Sequence, residues 1–241
     1  MSNINICAQD AYLALYPQSK KPVGVNWPDE GKSQEQALAT NGNLGLLLGP
    51  KSDVMDVDLD CREAKGLAEL ILPKPFAQFD RGTSDSGHYL YKANTCGPTK
   101  KFSGNGPKST LVELRGDGSQ TMIPPSIHPD GSRLNFTDIN HDAPEVEYAD
   151  LLKSVSFLAA CSEVAQIWVS GRRHELALSF SGLCLKQDVD PQLLVNIIQR
   201  ICKKTGDQEA QDRMNCVRTS VGKPHDELRG YNGLVDCIGK A

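Results

Sequence analysis

The chain has 241 residues, of which 39% are hydrophobic, and a formal net charge of −4. This length suits one large domain or two modest ones and allows a substantial buried core. No apolar run approaches the roughly 20 residues that span a bilayer, and the first residues lack the basic and apolar regions of a signal peptide. We therefore expect a cytoplasmic protein with no membrane partner.

The hydrophobic periodicity predicts two parts. The first begins with a short helix over 8–15, followed by adjacent strands at 44–48 and 54–59 and a helix that Pro73 ends near residue 71. Further short strands, separated by Gly, Pro and Asn turns, are predicted near 77–80, 88–92, 110–115, 120–123 and 133–137. Helices are then predicted over 149–160, 162–169, 172–186, 191–204 and 207–221. The fold class is α+β, with a mixed-sheet domain over residues 1–148 and a small all-helical domain over residues 149–241.

The most informative stretch is Asp53-Val54-Met55-Asp56-Val57-Asp58-Leu59-Asp60. On a strand, its apolar residues would face one side and Asp56, Asp58 and Asp60 the other. Alternate residues lie about 6.6–7 Å apart, so two such side chains can converge on a pair of metal ions about 3.5–4 Å apart. Clustered carboxylates repel one another, and a divalent cation removes that repulsion. The alternative is a solvated strand edge or an Asp-rich turn.

Later motifs give the paired acids a context. Ser86-Gly87-His88 comes next, Glu113 follows within Thr110–Arg115, and then comes Pro124-Pro125-Ser126-Ile127-His128-Pro129-Asp130-Gly131. In this order the motifs resemble the bifunctional primase–polymerase domain of the archaeo-eukaryotic primase superfamily. The glycine-bounded strand at 43–49, Lys20-Lys21-Pro22 and Trp27 match the same pattern, and the resemblance covers roughly residues 8–137.

The resemblance implies nucleotidyl transfer, in which a 3′-hydroxyl attacks the α-phosphorus of a nucleoside triphosphate with the help of two divalent ions. Asp56, Asp58 and Glu113 are the predicted catalytic residues and metal ligands, because Mg²⁺ and Mn²⁺ prefer oxygen ligands. The family often has Asp at the third position, so Glu113 is a departure. Asp60 is expected to be a poorer ligand, since its spacing from Glu63 predicts a helix N-cap with a capping box.

The loop Ser84–His88 is predicted to cradle the triphosphate, because its small residues allow close backbone approach and its amides can form an anion nest. Arg81 and Arg115 would add charge-assisted contacts. Asp85 stands where the family usually has Gly, and its charge should weaken phosphate binding unless Arg81 neutralises it. The predicted nucleotide-binding residues are Arg81, Ser86, Gly87, His88, Arg115, Ser126 and His128. A purely structural turn is the alternative for Pro124–Ser126.

Basic residues surround these motifs although the whole chain is acidic. Between Arg81 and Arg115, six basic residues stand against two acidic ones, which suits a triphosphate and a nucleic-acid backbone. Much of this charge falls at 94–109, which is predicted to be a mobile loop. The predicted DNA-binding residues are Lys100, Lys101, Arg172 and Arg173. The aromatic residues Trp27, Tyr89 and Tyr91 either stack on a base or belong to the core.

The segment Gly171-Arg172-Arg173-His174-Glu175-Leu176-Ala177-Leu178 resembles the helical segment that follows primase–polymerase domains in plasmid and phage replication proteins. A helicase often follows there, so the expected partners are a single-stranded DNA template, nucleoside triphosphates and a helicase in cis or in trans. No second His lies four residues from His174, and the eight cysteines include no C-x-x-C pair. The sequence therefore predicts no zinc site, and free, mostly buried thiols.

The combined prediction is a DNA primase and DNA-directed polymerase of plasmid or phage type. Two other classes stay open. A two-metal nuclease also uses clustered acids, although hydrolysis has no need of a triphosphate cradle. A catalytically silent replication module would keep only the fold and the basic loop for template binding.

Overall fold

The structure is a computed structural model that describes residues 6–7, 10–82, 85–104 and 110–238. Within these residues the chain forms ten strands and seven helices in the predicted α+β arrangement. The strands are β1 (Tyr12–Leu15), β2 (Asn43–Leu47), β3 (Val54–Leu59), β4 (Ala77–Asp80), β5 (Gly87–Thr95), β6 (Lys100–Ser103), β7 (Thr110–Arg115), β8 (Gln120–Ile123), β9 (Asn135–Ile139) and β10 (Val146–Glu147). The helices are α1 (Gln34–Leu38), α2 (Arg62–Ile71), α3 (Tyr148–Gln166), α4 (Arg173–Leu185), α5 (Pro191–Thr205), α6 (Ala210–Ser220) and α7 (Tyr231–Ile238).

A seven-stranded sheet is the centre of the fold. Its strands follow the order β6-β7-β3-β5-β4-β9, and β10 pairs with β5. The described pairs are antiparallel except for β10, which runs parallel to β5, so the sheet is mixed as predicted. The strands predicted at 54–59, 77–80 and 110–115 have the observed bounds, whereas those predicted at 88–92 and 133–137 lie at 87–95 and 135–139.

The second sheet is smaller and corrects two predictions. It contains β1, β2 and β8 in the order β1-β2-β8. The prediction of a helix over 8–15 is wrong, because Tyr12–Leu15 is a fully buried strand that pairs antiparallel with β2. The strands at 44–48 and 54–59 are also not neighbours in one sheet. Between β2 and β3 the chain turns at Gly49, whose φ of 93° and close approach to Asp117 exclude a side chain.

The central sheet has an apolar face and a face that changes character along β3. On the first face, Met55, Val57 and Leu59 pack in a hydrophobic cluster with α2 and α3, as the alternation of the sequence predicts. On the other face, Val54 lies in a second cluster with residues of the small sheet. Farther along this face the side chains become acidic, and the face opens into a cleft.

The start of α2 corrects the prediction for Asp60. Helix α2 begins at Arg62, and its N-cap is Cys61, whose Sγ accepts a hydrogen bond from the backbone N–H of Ala64 at 3.5 Å. The prediction that Asp60 caps this helix is therefore wrong. Asp60 therefore remains a candidate metal ligand, because the capping role does not occupy its side chain.

The helices beyond residue 147 lie mostly where they were predicted. The two helices predicted over 149–160 and 162–169 are one helix, α3. The polar residue Ser162 does not interrupt it, because its hydroxyl donates to the carbonyl of Leu158 at 2.7 Å within the helix. Helices α4, α5 and α6 lie where helices were predicted, whereas α1, α7 and the strands β6 and β10 were not predicted.

One hydrophobic cluster joins the sheet to the helices. Leu114 of β7, Leu67 of α2, Val155 of α3 and Ile198 of α5 all belong to it. The division into domains at residue 148 stays a prediction, and the two parts bury their apolar faces against each other. None of the described helices combines the length and apolar character needed to cross a membrane. All eight cysteines are free thiols.

Candidate active site

Three neighbouring strands bring the predicted site residues to one face of the central sheet. In the registers of β3 with β5 and β7, Asp58 lies opposite both His88 and Glu113, and Asp56 lies opposite Arg115. Paired residues of adjacent strands point to the same face. The sheet therefore brings together acids and cations that are far apart in sequence.

The acids that converge are Asp58, Asp60 and Glu113. Each offers a carboxylate oxygen, and these oxygens all lie within 4.8 Å of one another. Burial, followed by the charges of Asp58 and Glu113, raises the pKa of Asp60 from 3.8 to about 6. The carboxylates of the cluster thus repel one another. An all-oxygen set of this kind fits a hard divalent cation.

Asp56 lies deeper and has a different partner. Its carboxylate is fully buried, and its Oδ2 lies 3.0 Å from Nδ1 of His88. Burial opposes the charges of both groups, but their mutual attraction outweighs it, so the pKa of His88 is raised and that of Asp56 is lowered. His88 also stacks on Phe79 with ring centroids 4.6 Å apart. The imidazole is thereby held in one orientation, with Nε2 located 3.6 Å from Asp58 Oδ1.

Arg115 belongs to β7, which pairs with β3 on the side away from β5. Its Nη1 is 3.8 Å from Asp58 Oδ2, and its Nε is 4.0 Å from Glu113 Oε2. Its Nη2 donates to the backbone carbonyl of Gln120 at 2.6 Å, which fixes the guanidinium against β8. The Arg115 guanidinium is therefore fixed beside the acid cluster. This position is compatible with the phosphate contact predicted from the sequence.

Arg81 joins two loops of the site. Its Nη2 donates to Ser86 Oγ at 3.2 Å, and its Nη1 forms an ion pair with Asp130 at 2.5 Å. Nη1 also lies 3.4 Å from Nδ1 of His128. Ser86, of the predicted cradle, and His128 are thus brought to one place, whereas Ser84 lies outside the described residues.

The partly buried cation Lys65 supports the cradle through its hydrogen bonds. Lys65 Nζ lies 2.8 Å from Asp80 Oδ2 and 3.1 Å from the carbonyl oxygen of Ser86. Hydrogen bonds from Lys65 and from the backbone N–H of Gly82 outweigh burial and lower the pKa of Asp80. The Lys65 ammonium group thus binds the main chain of the loop at Ser86, whereas Arg81 binds the Ser86 side chain.

Many of these groups line one cleft of about 110 Å³. The lining includes the acids Asp58 and Asp60 together with the basic residues Arg81, His88 and Arg115. The remaining lining residues are Lys20, Asp80, Ser86, Gly87, Gln120, Thr121, Met122, His128 and Leu134. A single cleft therefore presents acidic and basic side chains close together.

Several predicted residues lie elsewhere. Ser126 is buried and exchanges hydrogen bonds with the backbone of Leu44, accepting at 2.9 Å and donating at 3.2 Å, so it joins β2 to the loop after β8. Arg172 donates to the carbonyl of Cys237, and Arg173 donates to the carbonyl of Trp168. These two arginines hold the helical part together and are not in the cleft.

The lysines predicted to bind DNA occupy an edge strand. Lys100 and Lys101 are exposed on β6, and Lys101 lies opposite Glu113. The prediction of a loop over 94–109 is wrong for 94–95 and 100–103, which are strand, while 105–109 lie outside the described residues. The aromatic residues Tyr89 and Tyr91 are buried in the core, and Trp27 packs against the cluster beside the small sheet.

Sequence reasoning missed the place of Asp60 and gave no role to Lys65, Asp80 or Thr121. The alternation of acids did point to Asp60, but the capping pattern overrode it. Lys65 and Asp80 leave no local signal, because their pairing joins α2 to β4 across 15 residues of sequence.

Comparison with known proteins agrees with this geometry. The family model described as bifunctional DNA primase/polymerase, N-terminal, matches residues 8–149. That stretch contains every residue of the cleft described above. A search of curated proteins found no match to the chain.

Proposed function

The chain belongs to the family of bifunctional DNA primases/polymerases, and from that premise we propose that it starts and extends strands on a single-stranded DNA template. The family implies nucleotidyl transfer with DNA and nucleotides as substrates. One observation carries the proposal for this chain: Asp58 and Asp60 of the acid cluster line the same cleft as Arg81, His88 and Arg115. Metal-assisted transfer from a triphosphate needs both kinds of group within reach of one phosphate chain.

Asp58, Asp60 and Glu113 would hold the divalent ions. Their oxygen donors suit Mg²⁺ or Mn²⁺. When bound, two such ions lower the pKa of the attacking hydroxyl and stabilise charge on the attacking and leaving oxygens. Asp56, the fourth acid of the same face, would become a ligand only if His88 released it.

His88 would contact the triphosphate through Nε2. Its Nδ1–H donates to Asp56, so in the charged imidazole Nε2–H remains for a phosphate oxygen. The raised pKa of His88 favours that charged form. Asp56 is then a positioning residue, which orients the ring and maintains its charge.

The other cations would bind the remaining phosphate oxygens. Arg115 and Arg81 each have part of the guanidinium held by protein oxygens, so little side-chain freedom is left to lose when phosphate binds. Lys20 and His128 line the same cleft. Ser126 is better explained as the structural contact to Leu44 described above.

The template would run along the edge of the sheet at β6. Lys100 and Lys101 are exposed there, and Lys101 faces the acid cluster across the strand pair. Two lysines on an edge strand suit a phosphate backbone that passes beside the reacting groups. The plasmid or phage setting and a helicase partner are part of the proposal by the resemblance of the segment at 171–178.

The proposal is tested by incubating the protein with labelled nucleotides, a single-stranded template and Mn²⁺ or Mg²⁺. Template-dependent products with no primer present support it. Degradation of the template would identify a nuclease instead. Template retention with neither product nor degradation would identify a silent binding module.

A further inference from the structure

Three metal-binding side chains meet where α4 packs on α6, outside the cleft. His174 lies at the start of α4, while Asp212 and Cys216 lie one turn apart on α6. His174 Nδ1 is 2.7 Å from Asp212 Oδ2 and 3.8 Å from Cys216 Sγ. One ligand atom from each residue lies within 4.8 Å of the other two.

The arrangement does not suit a Cys-His-Asp nucleophile. In such a relay the thiol and the carboxylate contact opposite nitrogens of the ring. Here both contact Nδ1 of His174. A metal ion bound by the nitrogen, oxygen and sulfur atoms together explains this convergence better than a proton-transfer chain does.

We propose that His174, Asp212 and Cys216 bind a Zn²⁺ ion, with water in the fourth position. Zinc takes nitrogen at about 2.0–2.1 Å, oxygen at about 2.0–2.2 Å and sulfur at about 2.3 Å in a tetrahedral arrangement. Those lengths place the nitrogen roughly 3.3 Å from the oxygen and roughly 3.5 Å from the sulfur. The distances found here differ from these by less than an ångström, which rotation of the half-exposed His174 and Asp212 side chains can supply.

The surroundings hold one of the ligands in place. Arg213 is buried and donates to Asp212 through Nη1 and to Asp207 through Nε. Asp207 also accepts from the indole N–H of Trp168 at 3.1 Å. Such outer hydrogen bonds orient a ligating carboxylate before the metal arrives. The Cys216 side chain approaches from the buried side, whereas His174 and Asp212 leave the solvent side open for the ion and its water.

This site differs in chemistry from the acid cluster of the cleft. A thiolate, an imidazole and one carboxylate select zinc, whereas three carboxylates select magnesium or manganese. The bound zinc would join α4 to α6 in the helical part. The inference is independent of the proposed nucleotidyl transfer.

The test is titration of the full-length, metal-free protein with Co²⁺, which replaces zinc in tetrahedral sites and gives a charge-transfer absorption only when a thiolate binds it. Cobalt in the acid cluster has no sulfur ligand and is silent in that band. The variants are His174→Gln, which alters a half-exposed side chain and keeps the fold, and Cys216→Ser. Cys96→Ser and His225→Gln are the matched controls.

We expect a thiolate band that saturates at one Co²⁺ per chain and disappears when Zn²⁺ is added. His174→Gln should weaken binding by about ten-fold or more, Cys216→Ser should remove the band, and both controls should match the wild type. Absence of the band in the wild type, or a band that His174→Gln leaves unchanged, overturns the site and leaves a simple His–Asp ion pair between the helices. The His174 variant decides the question even if Cys216→Ser fails to fold.

Discussion

Replacing Asp60 by Asn should stabilise the metal-free protein at neutral pH. Burial and the neighbouring carboxylates raise the pKa of Asp60 from 3.8 to about 6, so the folded state is penalised for carrying this charge. Each pH unit corresponds to about 1.4 kcal/mol, which gives about 3 kcal/mol. Asp60 is partly exposed, and solvent screening reduces the expected gain to about 1–2 kcal/mol.

The sign of the pH dependence follows from the raised pKa. Below the unfolded value of 3.8 both states bind the proton and the penalty is absent; it grows as pH rises and is complete above the folded value of about 6. The gain of Asp60→Asn over the wild type should therefore appear between pH 4 and pH 7 in chemical denaturation with a chelator present. Asp138→Asn, an exposed position on β9, is the control and should show no such change.

Divalent metal should reverse the order of stability. Saturating Mn²⁺ stabilises a folded protein that binds it, and the wild type should gain more than Asp60→Asn because it has one more ligand. The reasoning is refuted if Asp60→Asn destabilises the metal-free protein at pH 7, or if its effect is the same at pH 4 and pH 7.

Four further variants separate the roles of the other site residues. Asp56→Ala should destabilise the fold by about 1–3 kcal/mol in denaturant titration, because it leaves the mostly buried His88 without its hydrogen-bond partner. Asp58→Ala should be neutral or stabilising without metal. Equal losses of stability for the two variants would contradict the distinction. His88→Ala should weaken triphosphate binding by about 1.5–3 kcal/mol in calorimetry with template affinity unchanged, whereas equal loss of both would indicate a structural His88. Lys101→Ala should lower template affinity and reduce the salt dependence of binding by roughly 0.7 in log–log slope; an unchanged slope would place the template elsewhere.

The central strands were predictable from sequence because their patterns are local. Alternation of acids with Met55, Val57 and Leu59 fixed both faces of β3, and the family motifs ordered the neighbouring strands correctly along the chain. The pattern could not predict how deeply each acidic side chain is buried. Asp56 and Asp58 have the same residue type and point to the same face, yet the small sheet covers one and leaves the other at the cleft.

The errors have physical reasons of the same kind. Tyr12–Leu15 has a continuous apolar run without alternation, so a buried strand and a helix face are indistinguishable until the pairing with β2 is known. Asp60 fits a capping box, but Cys61 takes that place because its backbone is extended at the helix start. Arg172 and Arg173 looked like a basic surface. Arg172 instead donates to the carbonyl of Cys237 and Arg173 pairs with Asp207, and no local sequence pattern indicates these distant partners.

The most direct test of the proposed active site compares unprimed and primed synthesis by the wild type, Asp58→Asn and Glu113→Gln on one single-stranded template. Both substitutions keep the size of the side chain and remove one charge from the acid cluster. We expect products from the wild type. In both variants we expect loss of primed and unprimed synthesis, with folding and template binding retained. Robust synthesis by either variant, or no synthesis by the wild type with either Mg²⁺ or Mn²⁺, would contradict the proposed site.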